Sequence, residues 1–259
     1  MSSELEYPEE LVGRVELVWG EGFISPGGVD EVRETLAGVT VAGREVLDFG
    51  SGLGGVDVAL ARELGAASVV GVDVQAALVE RARQQARRAR VDDRVRFEVL
   101  SPESALPFAD ASFDVAFSKD AIYHVDDRPR LFAELHRVLR PGGRLAAADY
   151  LRADGEPLPV LAAYLEAWDP PVVLESLEST AALLAAAGFV EVELRDRCEW
   201  FRDRIREDLA RMRGELQPAI VARFGAAGYD DWLSVRERML AALEAGEFRP
   251  GHYRARKPG

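Results

Sequence analysis

The sequence predicts an α/β fold: a Rossmann-like, mostly parallel sheet with helices on both faces. Three observations carry the prediction. Residues 45–55 run from a short apolar stretch through an acid, Asp48, into four glycines within six residues (Gly50, Gly52, Gly54, Gly55), and a helical pattern follows from Val56 to Leu64. Ser68–Asp73 is a second apolar stretch that ends in an acid. From there to residue 150, strand-length apolar runs alternate with helix-length segments, as crossover-linked parallel strands do.

The elements follow in order. Leu11, Val15 and Val18 or Trp19 recur at helical spacing, then Gly20–Gly28 reads as a loop and Val32–Leu36 as a short helix. Residues 1–40 are therefore expected to form a helical N-terminal lid in front of a main domain over 41–259. Ala76–Arg90 is a helix dense in arginine, which on an acidic chain fits a solvated outer face better than a nucleic-acid stripe. Val95–Leu100 is a third strand, Pro107–Asp114 a turn and Val115–Ser118 a fourth strand. Pro129–Leu139 is a helix, stopped by Arg140-Pro-Gly-Gly143 and followed by a fifth strand, Arg144–Tyr150. His136 falls mid-helix and reads as structural.

Residues 151–176 break the rhythm. Four prolines (Pro157, Pro159, Pro170, Pro171) bracket a short helical stretch with Tyr164 and Trp168, which reads either as a substrate cap or as a structural connection. Leu177–Ala187 is a helix capped by Gly188, and Phe189–Arg195 a strand. Phe201–Phe224 and Trp232–Leu243 are helical, so 200–245 is a second cap segment, and Gly251–Lys257 is a last strand.

Composition narrows the function. The formal net charge of −13 over 259 residues opposes a nucleic-acid or anionic-membrane partner and tolerates a cationic amine. No apolar run reaches membrane-spanning length, the acidic N-terminus is unlike a signal peptide, and a single Cys198 cannot form an internal disulfide. The expectation is a cytoplasmic protein with a small-molecule substrate. Three dispersed histidines argue against a histidine metal cluster, so no metal is expected.

Gly50, Gly52 and Gly55 satisfy Gly-x-Gly-x-x-Gly, so a nicotinamide dinucleotide is weighed first. Asp48 tips the balance. A carboxylate at the strand end would repel a pyrophosphate over the helix N-terminus, whereas S-adenosylmethionine brings an ammonium and a sulfonium. Asp73 suits a ribose diol. Lys119-Asp120-Ala-Ile-Tyr-His124 follows at the carboxyl end of the fourth strand, where ligands of open α/β sheets sit.

Asp48-Phe-Gly-Ser-Gly52, Asp73, Pro107–Asp114 and Leu139-Arg-Pro-Gly-Gly143 together resemble the class I S-adenosylmethionine-dependent methyltransferases over about residues 40–200. The likeness implies a seven-stranded methyltransferase sheet whose last strand is antiparallel. Ile24-Ser-Pro-Gly27-Gly28, Ser118-Lys-Asp120-Ala-Ile-Tyr-His124 and Asp149-Tyr150 further resemble the phosphoethanolamine N-methyltransferases. That resemblance implies cofactor contacts from Ile24, Ser25, Asp48, Gly50, Ser51, Gly52, Asp73, Val74, Ser101, Pro102 and Lys119. It implies substrate contacts from Gly27, Gly28, Tyr150, Tyr164 and Trp168. It makes His124 the catalytic base, paired with Tyr7 from the lid, and Asp120 the partner of the amine. The chain departs from the pattern in the cap, where Trp168 and Pro170 replace an arginine and a tyrosine, and at Ser101, which replaces an aspartate. It also lacks a clear counterpart of the phosphate-binding lysine, which leaves C-terminal arginines such as Arg254 as candidates.

The expected activity is methyl transfer from S-adenosylmethionine to a small amine such as phosphoethanolamine or its methylated forms. A glycine, sarcosine or dimethylglycine N-methyltransferase, an O- or C-methyltransferase, a non-catalytic protein that only binds the cofactor, and an NAD-dependent oxidoreductase remain the competing readings.

Overall fold

The computed structural model describes residues 9–101, 105–155, 158–166 and 172–259. Tyr7, Pro102, Trp168 and Pro170 lie outside the described residues.

Seven strands form one sheet in the order β3-β2-β1-β4-β5-β7-β6. They are β1 (Glu45–Phe49), β2 (Ser68–Asp73), β3 (Val95–Val99), β4 (Phe113–Lys119), β5 (Leu139–Asp149), β6 (Val190–Asp196) and β7 (Gly251–Arg256). The first five pair in parallel, and β7 enters antiparallel between β5 and β6, with Asp149 opposite Gly251. The expected seven-stranded Rossmann-like sheet is present.

Alternation along each strand sends side chains to both faces. In β1, Val46 joins a core with Leu60, Val79 and Phe97 under α3 (Gly55–Arg62) and α4 (Ala76–Ala89). Leu47 joins the opposite core with Leu135, Leu184 and Tyr253 under α5 (Arg128–Val138) and α7 (Leu177–Ala186). Burial on both sides explains why these strands read as unbroken apolar runs. On α4 the buried Leu78, Val79, Ala82 and Ala86 form one face, and several of its arginines pair outward with Glu16, Glu21 and Glu80. That is the solvated outer helix expected of it.

Five further helices are described, of which the one over residues 28–35 joins the α3–α4 core through Val32. They are α1 (Glu9–Trp19), α2 (Gly28–Thr35), α6 (Pro159–Leu165), α8 (Cys198–Arg213) and α9 (Gln217–Glu244). A capping box from Ser176 and Ser179 starts α7. The helical span expected over 201–224 is broken earlier, at Gly214, because Pro218 in the first turn of α9 can start a helix but not continue one. A second break falls at Gly225, whose φ of 75° lies outside helical space. Strand β5 also begins earlier than expected, at Leu139. No helix among the described residues is long and apolar enough to cross a membrane.

Candidate active site

The order of the sheet reverses between β1 and β4, and a crevice opens beyond the carboxyl ends of those strands, where open α/β sheets bind ligands. A cavity there is lined by Phe49 and Gly50 after β1, by Asp73, Val74 and Gln75 after β2, by Lys119, Asp120, Ala121 and His124 after β4, and by Ile24 from the N-terminal loop. Val72, Leu78 and Leu100 complete it. A second cavity shares Phe49, Val74 and Leu100 with the first and reaches Ser101.

Bare backbone builds the floor. Gly50 and Ser51 both donate their N–H groups to the Val72 carbonyl, at 2.8 and 3.0 Å, which turns the chain sharply as it leaves β1. Gly50 holds φ at 81°, and a Cβ there would stand 2.2 Å from that of Ala121. At Gly52 a Cβ would stand 2.8 Å from Ile24 Cδ1. Glycine is required at both positions, by conformation and by the close approach of β4's loop on one side and the N-terminal loop on the other.

Asp73 fixes the ribose-sized end. Its carboxylate accepts the N–H of Gly52 at 3.0 Å and of Gln75 at 2.9 Å, which aims it across the mouth of the glycine turn. Burial raises its pKa while those N–H bonds lower it. Each oxygen has a second lone pair, so the group can also accept a vicinal diol. The turn, the carboxylate and the apolar wall of Phe49, Val74 and Leu100 suit a nucleoside with a charged tail.

Asp48 corrects one expectation. It is 1% exposed and is not among the residues lining the cavity. It lies against Asp57 of α3, also fully buried, and burial pushes Asp48 up to about 7 and Asp57 well above the carboxylate range. Two such groups do not both ionise in one dry site, so Asp57 stays protonated beside Asp48. Its influence on a bound cation is electrostatic, from beneath the floor.

Lys119 and Asp120 join the cofactor crevice to a smaller cavity under Pro26, Trp200 and the start of β7. The Lys119 ammonium, 2% exposed, donates to Ser25 Oγ at 2.6 Å and pairs with Asp120 at 2.7 Å. Through it, the loop before α2 is pinned to the end of β4. Asp120 itself holds a positive φ of 52°. Gly27 packs so closely that a Cβ would meet Trp200 at 2.8 Å, and Gly28 opens α2.

His124 ends a single 3-10 turn, Ile122–His124, and its ring lies 3.9 Å from that of Tyr123, centroid to centroid. Burial, followed by the charge of Arg128, lowers its pKa to about 4. The ring is therefore neutral, and able to accept a proton, across the physiological range. Tyr123 stacks on Tyr150 at 4.9 Å, and Tyr150 meets Phe201 and Phe248 edge-on. Tyr164 is 1% exposed and packs on Phe248 at 5.5 Å, one aromatic layer further from His124.

The structure thus brings Ile24, Gly50, Asp73, Val74, Lys119, Asp120 and His124 around one cavity. Ser25, Gly52 and Tyr150 stand directly behind it. Ser51, 5% exposed, is part of the turn. Arg254 is a second correction. Its guanidinium donates to the Thr35 carbonyl at 2.7 Å and the Glu34 carbonyl at 2.5 Å, so it caps the end of α2 and faces no cavity. Phe49, Val72, Gln75, Leu78, Leu100 and Ala121 were not anticipated. Five of the six sit within two residues of a strand's carboxyl end, the one signal that could have found them.

A seven-stranded sheet of this order, with a glycine turn after β1 and an acid after β2, defines a class I methyltransferase fold. Residues 47–147 match the family described as methyltransferase domain. Within that class the chain resembles the phosphoethanolamine N-methyltransferases. It is 33% identical over 241 residues to a phosphoethanolamine N-methyltransferase of Triticum aestivum, covering 91% of this chain and 46% of that one. It is 28% identical over 258 residues to phosphoethanolamine N-methyltransferase 2 of Caenorhabditis elegans, covering 98% of this chain and 57% of that one. Among solved structures it superposes with a TM-score of 0.90 and 26% identity on Haemonchus contortus phosphoethanolamine N-methyltransferase 2 in complex with phosphomonomethylethanolamine and S-adenosylhomocysteine. That match covers 99% of this chain and 60% of the other. The chain spans about half the length of the curated relatives it matches.

Proposed function

We propose that this chain transfers a methyl group from S-adenosylmethionine to the nitrogen of a small amine of the phosphoethanolamine type. The observation that carries the proposal is one continuous cavity in which the glycine turn and Asp73 stand opposite Asp120 and His124. When bound, S-adenosylmethionine supplies the methyl group on a sulfonium, leaving group included, so the protein has to align the partners and remove one proton.

The chain's residues divide the work. Gly50 and Gly52 let the cofactor's tail lie against main chain, Asp73 takes the ribose hydroxyls, and Val74 and Ser101 border the base. Pro102 belongs with them, although it lies outside the described residues. Ile24 and Ser25 close the site from the N-terminal lid, which Lys119 latches to β4. Asp120, one oxygen held by Lys119, offers the other to an amine N–H. Lys119 and Arg128 are buried cations near the site, and the amine attacks in its neutral form, the only form with a free lone pair. S-adenosylmethionine held here would supply the methyl group and leave as the thioether, and His124 would take the proton that the methylated nitrogen sheds. Tyr7 is the proposed partner of His124 from the lid.

Residues 151–176 and 200–245 form the cap on this reading. Tyr150 and Tyr164 bound the acceptor through the aromatic cluster, Gly27 and Gly28 shape the lid loop over it, and Trp168 belongs to the cap. The protein acts without a metal and in the cytoplasm, consistent with its acidic charge and its small-molecule chemistry.

The experiment is a methyl-transfer assay against phosphoethanolamine, its mono- and dimethyl forms, glycine, sarcosine and dimethylglycine. Turnover of one or more phosphobases is expected. Turnover of the glycine series alone contradicts the acceptor assignment and leaves methyl transfer standing. Turnover of none contradicts the amine assignment and leaves an O- or C-methyltransferase or a non-catalytic cofactor binder.

A further inference from the structure

Arg128 has no part in the account above beyond its charge, yet its side chain is the most connected group behind the catalytic turn. It is the first residue of α5 and is only 7% exposed. Its guanidinium donates to the Tyr123 carbonyl at 2.9 Å, inside the 3-10 turn that ends in His124. The same fork donates to the Val173 carbonyl and pairs with Glu175 at 3.5 Å. Val173 and Glu175 belong to the segment that returns from the cap to α7. Arg152 holds that segment from the other side, donating to the Leu174 carbonyl at 2.9 Å. Glu175 is in turn fixed by Ser179 Oγ at 2.6 Å, a residue of the α7 capping box.

We propose that Arg128 is a positioning residue that couples the return segment of the cap to the turn carrying His124. An arginine fork suits the task because it meets two carbonyls and a carboxylate at once, in one plane. A lysine keeps the charge but not the fork. With the Val173 carbonyl and Glu175 seated on the fork, the Tyr123 carbonyl is held, and with it the His124 ring and the Tyr123–Tyr150 stack. The other charged or titratable groups facing this turn are Lys119 and Asp120 from the end of β4, Asp149 from β5, Tyr253 from β7 and Glu175 from the return segment. Arg128 is the cation that bears directly on the imidazole.

The inference rests on His124 as the base, and its test separates the two. Histidine-selective NMR titration of the full chain follows three imidazoles, with His136 and His252 as internal references. In the wild type, His124 titrates near 4. Arg128→Gln is expected to raise that value by about one unit, the usual effect of removing a neighbouring charge, and Arg128→Lys to leave it in place. In steady-state kinetics Arg128→Lys is expected to raise acceptor KM and lower kcat, each several-fold, with cofactor affinity unchanged. An unmoved His124 titration in folded Arg128→Gln overturns the proposal. If that variant does not fold, an unchanged acceptor KM in Arg128→Lys overturns it instead. Full turnover in His124→Gln, alongside a shifted titration in Arg128→Gln, would defeat the base assignment and leave the coupling intact.

Discussion

The two sides of the cavity are built by opposite means. On the cofactor side the wall is main chain and strand ends: Gly50, Gly52, and an Asp73 carboxylate held by two backbone N–H groups, all within thirty residues of sequence. Behind Asp120 and His124, on the proposed acceptor side, the support is side chain, and its pieces come from far apart. Tyr123, Tyr150, Tyr164, Phe201 and Phe248 pack into one aromatic cluster drawn from β4's loop, β5's end, α6, α8 and the approach to β7. Backbone geometry at a turn is fixed by which residues are glycine, whereas an aromatic cluster keeps its packing under many exchanges of partner.

Substitutions on each side sharpen the contrast. The largest effect is expected from Gly50→Ala, where an added methyl meets Ala121 at 2.2 Å in a left-handed backbone. Cofactor affinity measured by calorimetry should fall beyond detection, with a drop in melting temperature. Asp73→Ala should weaken cofactor binding by roughly 10- to 100-fold, the worth of hydrogen bonds to a charged group, while kcat at saturation stays close to wild type. On the other side, Phe248→Leu should cost about 1 to 2 kcal/mol in chemical denaturation and raise acceptor KM, with cofactor affinity unmoved. A loss of cofactor affinity there would show that the two walls are not separable.

The smallest effect is set by pH. Burial, followed by the charge of Asp120, raises Asp149 to about 8. The folded state therefore holds a proton that the unfolded chain releases near pH 4, so this group's stabilisation is lost as pH rises through that window to about 8. Asn is isosteric with the protonated acid and keeps the oxygen that accepts from Tyr123 N and Tyr150 N. Asp149→Asn should melt a few degrees above wild type at pH 9, with the gap closing toward pH 5. A pH-independent gap would contradict a buried, protonated Asp149.

The same contrast explains what could be read from the sequence. Strands one to five were legible as apolar runs closed by an acid or a turn, whereas the antiparallel last strand followed from the family resemblance. The burial of Asp48 against Asp57 was not legible, since it depends on α3 folding back across β1. Arg254 looked available for phosphate because its partners, the Thr35 and Glu34 carbonyls, are more than two hundred residues away in sequence. Arg128 carries no local mark either, and the return of residues 172–176 beneath it supplies two of its three partners, Val173 and Glu175. The break at Gly214 was legible in principle, from Gly followed by Pro218, but apolar periodicity runs through it.

The central claim is that His124 completes methyl transfer in a site that binds its cofactor independently. The most direct measurement is single-turnover formation of S-adenosylhomocysteine from S-adenosylmethionine and phosphoethanolamine by wild type and His124→Gln, with cofactor affinity determined on the same samples. The account predicts methylated product from the wild type, a rate lower by about 10²- to 10⁴-fold in the variant, as for loss of a general base, and equal cofactor affinity in both. Equal rates in the two proteins would contradict it.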